Sequence, residues 1–493
     1  MITLMRGGWV AAWDGTTHQI VKDGEVAFED GAILYAGSHF DGCVDRVVEN
    51  RDWFICPGFI NLHGHVGVDP MVPFVDVPRA GQFAPGPEFV RKAPLQMWPT
   101  LSEEEQEASA EFCLVQMVRT GTTTVVDAHG YGAIWWLGNP PTDEAALAEV
   151  VGRVGSRAYL ALGFRSARSY QDAHGEARQH WDEEMGILGL EEGLRFALAH
   201  RDTFGGRVQT ILTPHAVEKF TPDLLRKTIR EAREVGLLVQ IHTAQSRSEV
   251  ELVVERHGDS PVGLLHSLGF LGPDVILGHC VYVSDHPSVD GGTDRDLRLI
   301  AESGASVAHA PLAFARRDAE ALHSLPRYLD YGINVGIGCD VWPADIISEM
   351  RLAWLLGKQV HGSVERPTCQ EVFDAATRGS ADALGRTDLG RLEAGAKADV
   401  VCVDMSAYHF GPVLDPIRAL VSLGTGQDVD VVYVDGKEIV SDGRVINADE
   451  EKLKAAAPGI LTKLHRAASE RDPVGRTAES ILDWRPPREG GGV

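Results

Sequence analysis

Eight short apolar segments, most of them separated by amphipathic helical stretches, constrain this chain more than any other feature of its sequence. The first lies in FICPGFINLHGHVG, residues 54–67; the others cover 123–127, 157–164, 208–215, 237–242, 275–279, 306–309 and 334–340. Strands that alternate with helices pair in parallel, and eight such units in a chain of 493 residues predict an α/β fold, the (β/α)8 TIM barrel. That architecture carries its functional side chains at the C-terminal ends of the strands. Those ends are occupied here by His63 and His65, Arg165, His215, His242, His279, His309 and Asp340.

The first segment shows why this placement points to a metal. Ile55 and the run Phe59, Ile60 and Leu62 suit a buried strand, and the two-residue spacing of His63 and His65 turns both imidazoles to one side. Two ligands do not complete a site. Histidines ending later strands and the carboxylate of Asp340 supply the rest, a nitrogen and oxygen donor set of the kind that Zn2+ or Fe2+ prefers. The expected cofactor is one divalent metal ion, Zn2+ first, with Fe2+, Co2+ or Mn2+ as alternatives.

Both chain ends have a different texture. Up to about residue 54, short apolar runs are broken by the turn pairs Asp14-Gly15 and Asp30-Gly31, and the pattern returns in ADVVCVD (398–404) and VVYVDG (431–436). This predicts one smaller β-sandwich domain built from both ends. Residues 1–56 and 391–450 would form it, 57–390 the barrel, and 451–493 a C-terminal helix and tail. Within the barrel, a helix is expected from Ser102, where Glu105 completes a capping box and Ala108, Phe112 and Val115 share a face, to Gly121. A second, over 222–235, has Thr221 as its cap and Pro222 in its first turn. The Pro- and Gly-rich stretch 66–99 has the length of a lid or a subunit contact.

A formal net charge of −25 and a pI near 5.1 argue against nucleic acid, anionic membranes and strongly anionic substrates. The partner expected is a small, largely neutral molecule. Seven scattered cysteines, odd in number and without a CxxC pair, indicate neither a disulfide framework nor a thiolate zinc site, and so a reducing compartment. The first residues lack an apolar signal core, and no run reaches the roughly eighteen apolar residues of a membrane span. A cytoplasmic homo-oligomer with no membrane contact is expected.

PGFINLHGH, TPHAVEKFTPDLL, IHTAQSRSEVE, LGHC, SVAHAP and GIGCD, in that order, resemble the strand-end motifs of the amidohydrolase superfamily, in its cytosine-deaminase-like and chlorohydrolase-like branch. RLEAGAKADVVCVD and VVYVDGKEIV resemble that family's return into the minor β domain. The resemblance implies that His63, His65, His242 and Asp340 bind one metal and that His279 is a catalytic group beside it. It also implies a mononuclear site, because the fourth strand carries no lysine to bridge two ions.

One position departs from the pattern. Deaminating members carry a glutamate three residues after the fifth-strand histidine, where this chain has Gln245. A glutamate can carry a proton to a ring nitrogen; a glutamine can only hold a hydrogen bond. Glu249 lies one helical turn further on and is expected to face solvent or a capping partner. A metal of this kind lowers the pKa of a bound water toward about 7. Asp340 can accept the proton, His279 can orient the nucleophile or stabilise an oxyanion, and either can donate the proton to the leaving group. The arrangement suits hydrolysis of a C–N or related bond in an amide, carbamate, thiocarbamate or urea. The alternatives are an aminohydrolase or chlorohydrolase acting on an N-heterocycle and, in another class, a non-catalytic barrel scaffold. For substrate contacts, His215 and Arg165 are candidate hydrogen-bonding groups, the arginine serving equally to pair with a carboxylate. Trp135, Trp136 and Trp342 are candidate pocket walls or lid packing, with His129 and His309 as secondary candidates.

Overall fold

The computed structural model describes residues 1–66, 101–128, 144–171, 177–289, 292–317 and 325–471. His129, Trp135, Trp136, the stretch from 67 to 99 and the tail beyond 471 lie outside these residues.

The chain has a mixed α/β fold in which the expected apolar segments form parallel strands. They are β1 (Phe59–Gly64), β2 (Thr122–Asp127), β3 (Arg157–Leu160), β4 (Val208–Thr210), β5 (Val239–Thr243), β6 (Val275–His279), β7 (Ser306–His309) and β8 (Val335–Ile337). One sheet runs in the order β4, β3, β2, β1, and another in the order β5, β6, β7, β8. Two sets of backbone contacts link them. Leu212 bridges Val239 in parallel, and the Asp340 amide donates to the His63 carbonyl at 2.9 Å. Gly338 permits the second approach, because a Cβ there would lie 2.6 Å from that of His63.

The segments 157–164 and 208–215 are not continuous strands. Each breaks and resumes as a two-residue strand, Gly163–Phe164 and Thr213–Pro214, which pair with each other. Across the break the chain keeps both neighbours, Ile211 N donating to Leu160 O and Leu212 N to Leu238 O, both at 3.0 Å.

Helices start where local chemistry satisfies their free N–H groups. The helix Glu103–Arg119 has the expected box: Ser102 Oγ accepts from Glu105 N at 3.3 Å, and Glu105 Oε2 accepts from Ser102 N at 2.9 Å. It ends before Gly121, whose φ is +87°. Of the expected face Val115 is buried and Ala108 and Phe112 are half-buried against the core, while the more deeply covered residues are Ala110, Cys113, Leu114, Met117 and Val118. The C-terminal helix Glu450–Arg471 covers part of the other side, with Arg119 Nη1 3.1 Å from Glu450 Oε2. The helix Pro222–Glu234 begins as expected, Thr221 accepting from Leu224 N at 3.3 Å.

Both ends of the chain share one nine-stranded sheet. Arg46–Pro57 lies at its centre, parallel to Thr3–Trp13 on one side and antiparallel to Val400–Asp404 on the other. That parallel pair differs from the all-antiparallel hairpins suggested by the turn signals, because it joins strands separated by a long excursion. Met5, Val10, Phe28, Ile55, Val400, Cys402 and Tyr433 are among the residues of a core under this sheet. Arg157 of β3, 1% exposed, ties the sheet to the parallel strands through Asp399 at 3.2 Å and Asp435 at 3.0 Å. Gly58 marks the junction: its amide donates to Asp399 O at 2.9 Å, and a Cβ would lie 2.1 Å from Thr123 Oγ1.

Candidate metal centre

Four imidazoles and a carboxylate, brought from opposite ends of the parallel strand set, meet at one place. His63 ends the apolar run of β1 and His65 follows it, His242 and His279 lie on β5 and β6, and Asp340 follows β8. His65 Nε2 is 3.0 Å from Asp340 Oδ1, and His63 Nε2 is 3.4 Å from the same oxygen. The His63 ring centroid lies 4.5 Å from that of His279 and 4.9 Å from that of His242. Two sets of donor atoms each fall within 4.8 Å of one another: those of His63, His242 and His279, and those of His63, His65 and Asp340. His63 belongs to both.

The protonation states suit a cation. His242 Nδ1 donates to the carbonyl of His215 at 2.5 Å, which leaves Nε2 with its lone pair toward His63 and His279. Burial, reinforced by the neighbouring His63, pulls the His242 pKa down to about 3, so the ring is neutral. Burial works to raise the Asp340 carboxyl, but His63 and His65 outweigh it and hold the group well below the usual range. Both ring nitrogens of His63 are buried and make no hydrogen bond. A buried imidazole in that condition loses solvation that a ligand on its lone pair would offset. The residues therefore fit a divalent metal.

Backbone strain is concentrated here. His279 (φ +83°), Cys280 (+49°), Ala244 (+51°) and Asp340 (+55°) occupy the left-handed region without being glycine, and each sits at or just past a strand end. Tertiary bonds hold them, with Cys280 N donating to Thr243 O at 3.0 Å and Tyr282 N to Ala244 O at 2.8 Å.

The remaining candidates divide. His215 stacks on His242 with ring centroids 5.3 Å apart, and burial followed by the charge of Arg165 lowers its pKa well below the ordinary value. Arg165 thus stands beside the cluster. His309 is buried at the end of β7, where burial alone lowers its pKa to about 3, and it belongs to neither donor set. Trp342 stacks on Phe112 at 5.2 Å. Gln245 is half-buried, three residues past His242. Of the two expectations for Glu249, solvent or a capping partner, the second is met: it is 2% exposed, and its carboxylate accepts from Ala244 N at 2.7 Å and Gln245 N at 2.8 Å. The helix that carries it folds back over the end of β5, so its first turn faces inward. Lys219, four residues past His215, is not on the strand but in the short turn Val217–Lys219, paired with Glu218 at 3.2 Å.

Residues 54–439 match the family model described as the amidohydrolase family. A 5'-deoxyadenosine deaminase of Methanosarcina barkeri is 30% identical over 90% of this chain and 95% of its own length. A 5-methylthioadenosine/S-adenosylhomocysteine deaminase of Moorella thermoacetica is 29% identical over 91% of this chain and 96% of its own. Among solved structures, an adenosine deaminase from Xanthomonas campestris with bound zinc superposes with a TM-score of 0.76 at 22% identity, covering 94% of this chain and 98% of that one. An atrazine chlorohydrolase from Arthrobacter aurescens complexed with zinc gives 0.74 at 21%, covering 93% and 100%. At these identities the structural likeness is one of fold.

Proposed function

Because the chain belongs to the amidohydrolase family, and is thus a metal-dependent hydrolase of C–N or related bonds in small molecules, we propose that it cleaves amides, carbamates, thiocarbamates or ureas at a single metal ion held by His63, His65, His242 and Asp340. The convergence of His63, His65, His242, His279 and Asp340 carries this reading. Zn2+ is the ion proposed, since nitrogen and carboxylate donors suit it and both structural neighbours described above contain it. When bound, such an ion acts as a Lewis acid and makes water acidic enough to supply hydroxide near neutral pH.

The side chains then divide the work. Asp340, ionised and beside His63 and His65, accepts the proton of the attacking water. His279 is placed to orient the nucleophile or to stabilise the oxyanion, and it or Asp340 returns the proton to the departing nitrogen. Gln245 can hold a substrate group by hydrogen bond but cannot carry a proton. A trigonal acyl carbon needs no ring protonation before attack, so the missing acid is no obstacle there. His215 and Arg165 are proposed to contact a polar part of the substrate.

The architecture proposed is a (β/α)8 barrel over 57–390 with the metal at the C-terminal ends of its strands, supported by the Leu212–Val239 bridge and the bond from Asp340 to His63. The sheet shared by both chain ends would be the smaller β-sandwich domain, from 1–56 and 391–450, followed by the C-terminal helix. A cytoplasmic location is supported by the seven cysteines, all free thiols.

The names of the relatives favour a second reading, an aminohydrolase acting on an N-heterocycle. Product identification across a panel of both compound classes separates the two: a released amine supports the first and ammonia from a ring the second. If the purified protein binds no metal and no panel member is turned over, both fail.

A further inference from the structure

The helix Pro311–Arg317 follows β7 and packs against the metal-site histidines, with Phe314 edge-on to His279 at a centroid distance of 4.7 Å and 67° between the rings. Arg316, two residues on, donates from Nη1 to the carbonyl of Trp342 at 2.7 Å, and Trp342 is itself two residues past Asp340. That bond fixes one edge of the guanidinium. Among the described residues no carboxylate forms an ion pair with Arg316, although Asp340 and Glu349 lie close enough for their charges to act on it. The side chain is half-buried, so its other N–H groups are partly withdrawn from water, and among the described residues no acceptor takes their place. Glu349, fully buried, is itself engaged by Leu312 N at 3.1 Å.

We propose that Arg316 is a substrate-binding residue, whose free N–H groups take an oxo group, carbonyl or carboxylate, on the part of the substrate away from the bond being cleaved. A planar fork of donors matches such an oxygen better than any other common substituent. The strongly acidic chain disfavours anions at long range, which puts the neutral carbonyl ahead of the carboxylate. This inference rests on the acyl-substrate reading above, and it concerns a helix that contributes none of the metal donors.

Calorimetric binding of three probes to the metal-loaded full chain tests it: benzamide, which has one oxo group, and isophthalamide and 3-carboxybenzamide, each of which has a second. The wild type is expected to bind at least one of the latter two about tenfold more tightly than benzamide. Arg316→Met should remove that preference, and Arg316→Lys should restore part of it, with metal content and thermal midpoint unchanged. A stronger gain from isophthalamide assigns the neutral carbonyl, one from 3-carboxybenzamide the carboxylate. Equal affinities for all three in the wild type, or a preference that survives in Arg316→Met, would overturn the proposal. Because binding is read directly, failure to hydrolyse any amide would count against the acyl-substrate reading while leaving this result legible.

Discussion

The carboxylate of Glu249 accepts the backbone N–H of Gln245 at 2.8 Å, and its other oxygen accepts that of Ala244 at 2.7 Å. Ala244 has φ +51°, so the turn that presents Gln245 beside His242 is strained and held from below by one buried side chain. Truncation in Glu249→Ala would leave the buried N–H of Ala244 and the half-buried one of Gln245 without this acceptor, at about 1–3 kcal/mol for the buried group. A lowered urea midpoint and a fall in kcat exceeding any rise in KM are expected. An unchanged midpoint would show that the brace is dispensable.

Much of this was legible in the sequence, and what escaped was set by contacts between distant residues. Ser102 with Glu105, and Thr221 with Pro222, act within one helical turn, and the structure forms both caps as read. The histidines and Asp340 punctuate strand ends, so parallel pairing alone brings them to one side. For Glu249 the sequence left solvent and a capping partner both open, because the choice depends on how a helix folds back over β5. Arg316 was not readable, for its anchor is a backbone carbonyl of Trp342 and not a side chain with a recognisable spacing. The split of the segment 208–215, which resumes against the same neighbour in the same register, is likewise not revealed by local apolarity.

Gln245→Glu restores a group that can move a proton at the end of β5. General acid catalysis contributes about 10²–10⁴-fold in rate where it operates. The variant is therefore expected to release ammonia from 5'-deoxyadenosine or another amino-substituted heterocycle faster than the wild type, read by coupled ammonia assay. No gain in ammonia release together with unaltered turnover of acyl substrates would remove the functional meaning given to this position.

His63 belongs to both donor sets, and its loss should therefore be felt more than that of any other residue of the cluster. His63→Ala is expected to lower bound metal, measured by elemental analysis, and to reduce activity by at least about a hundredfold. Chelation of the wild type should lower the thermal midpoint, since a ligand that binds only the folded state stabilises it, and added Zn2+ should restore it. In His63→Ala the midpoint should respond little to chelator.

Arg157 is buried between β3 and the sheet made from both chain ends, 3.2 Å from Asp399 and 3.0 Å from Asp435. Arg157→Met keeps the stem but leaves two acidic partners without their cation, a change that costs about 3–5 kcal/mol when such a group is fully buried. Denaturant unfolding should show the loss. Residual metal binding at low temperature is expected to survive, because none of the metal donors touches this network. The double variant Arg157→Met with Asp399→Asn should be less destabilised than the single one, since it removes part of the unpaired charge along with its partner.

Buried neutral histidines make the fold sensitive to acid. His309, held at about 3 by burial alone, stays unprotonated in the folded protein, whereas in the unfolded chain it binds a proton near pH 6.5. A folded pKa below the unfolded value means that the unfolded state takes up more protons, so stability rises with pH through this window. The contribution is complete above about pH 6.5 and is lost progressively toward pH 3, at up to about 1.4 kcal/mol per pH unit for one histidine. His309→Gln removes the titrating group. Unfolding free energies measured at pH 7.5, 6.0 and 5.0 should then fall less steeply in the variant, by about one proton's worth of slope. Parallel slopes would show that His309 is already protonated, and hence solvated or paired, in the native state. His242 carries a similar depression but lies in the donor cluster, where a bound ion would compete with protons for the same nitrogen, so its own variant would mix metal release with protonation. Outside both donor sets, His309 reports the cost of protonating an imidazole in the interior without that competition.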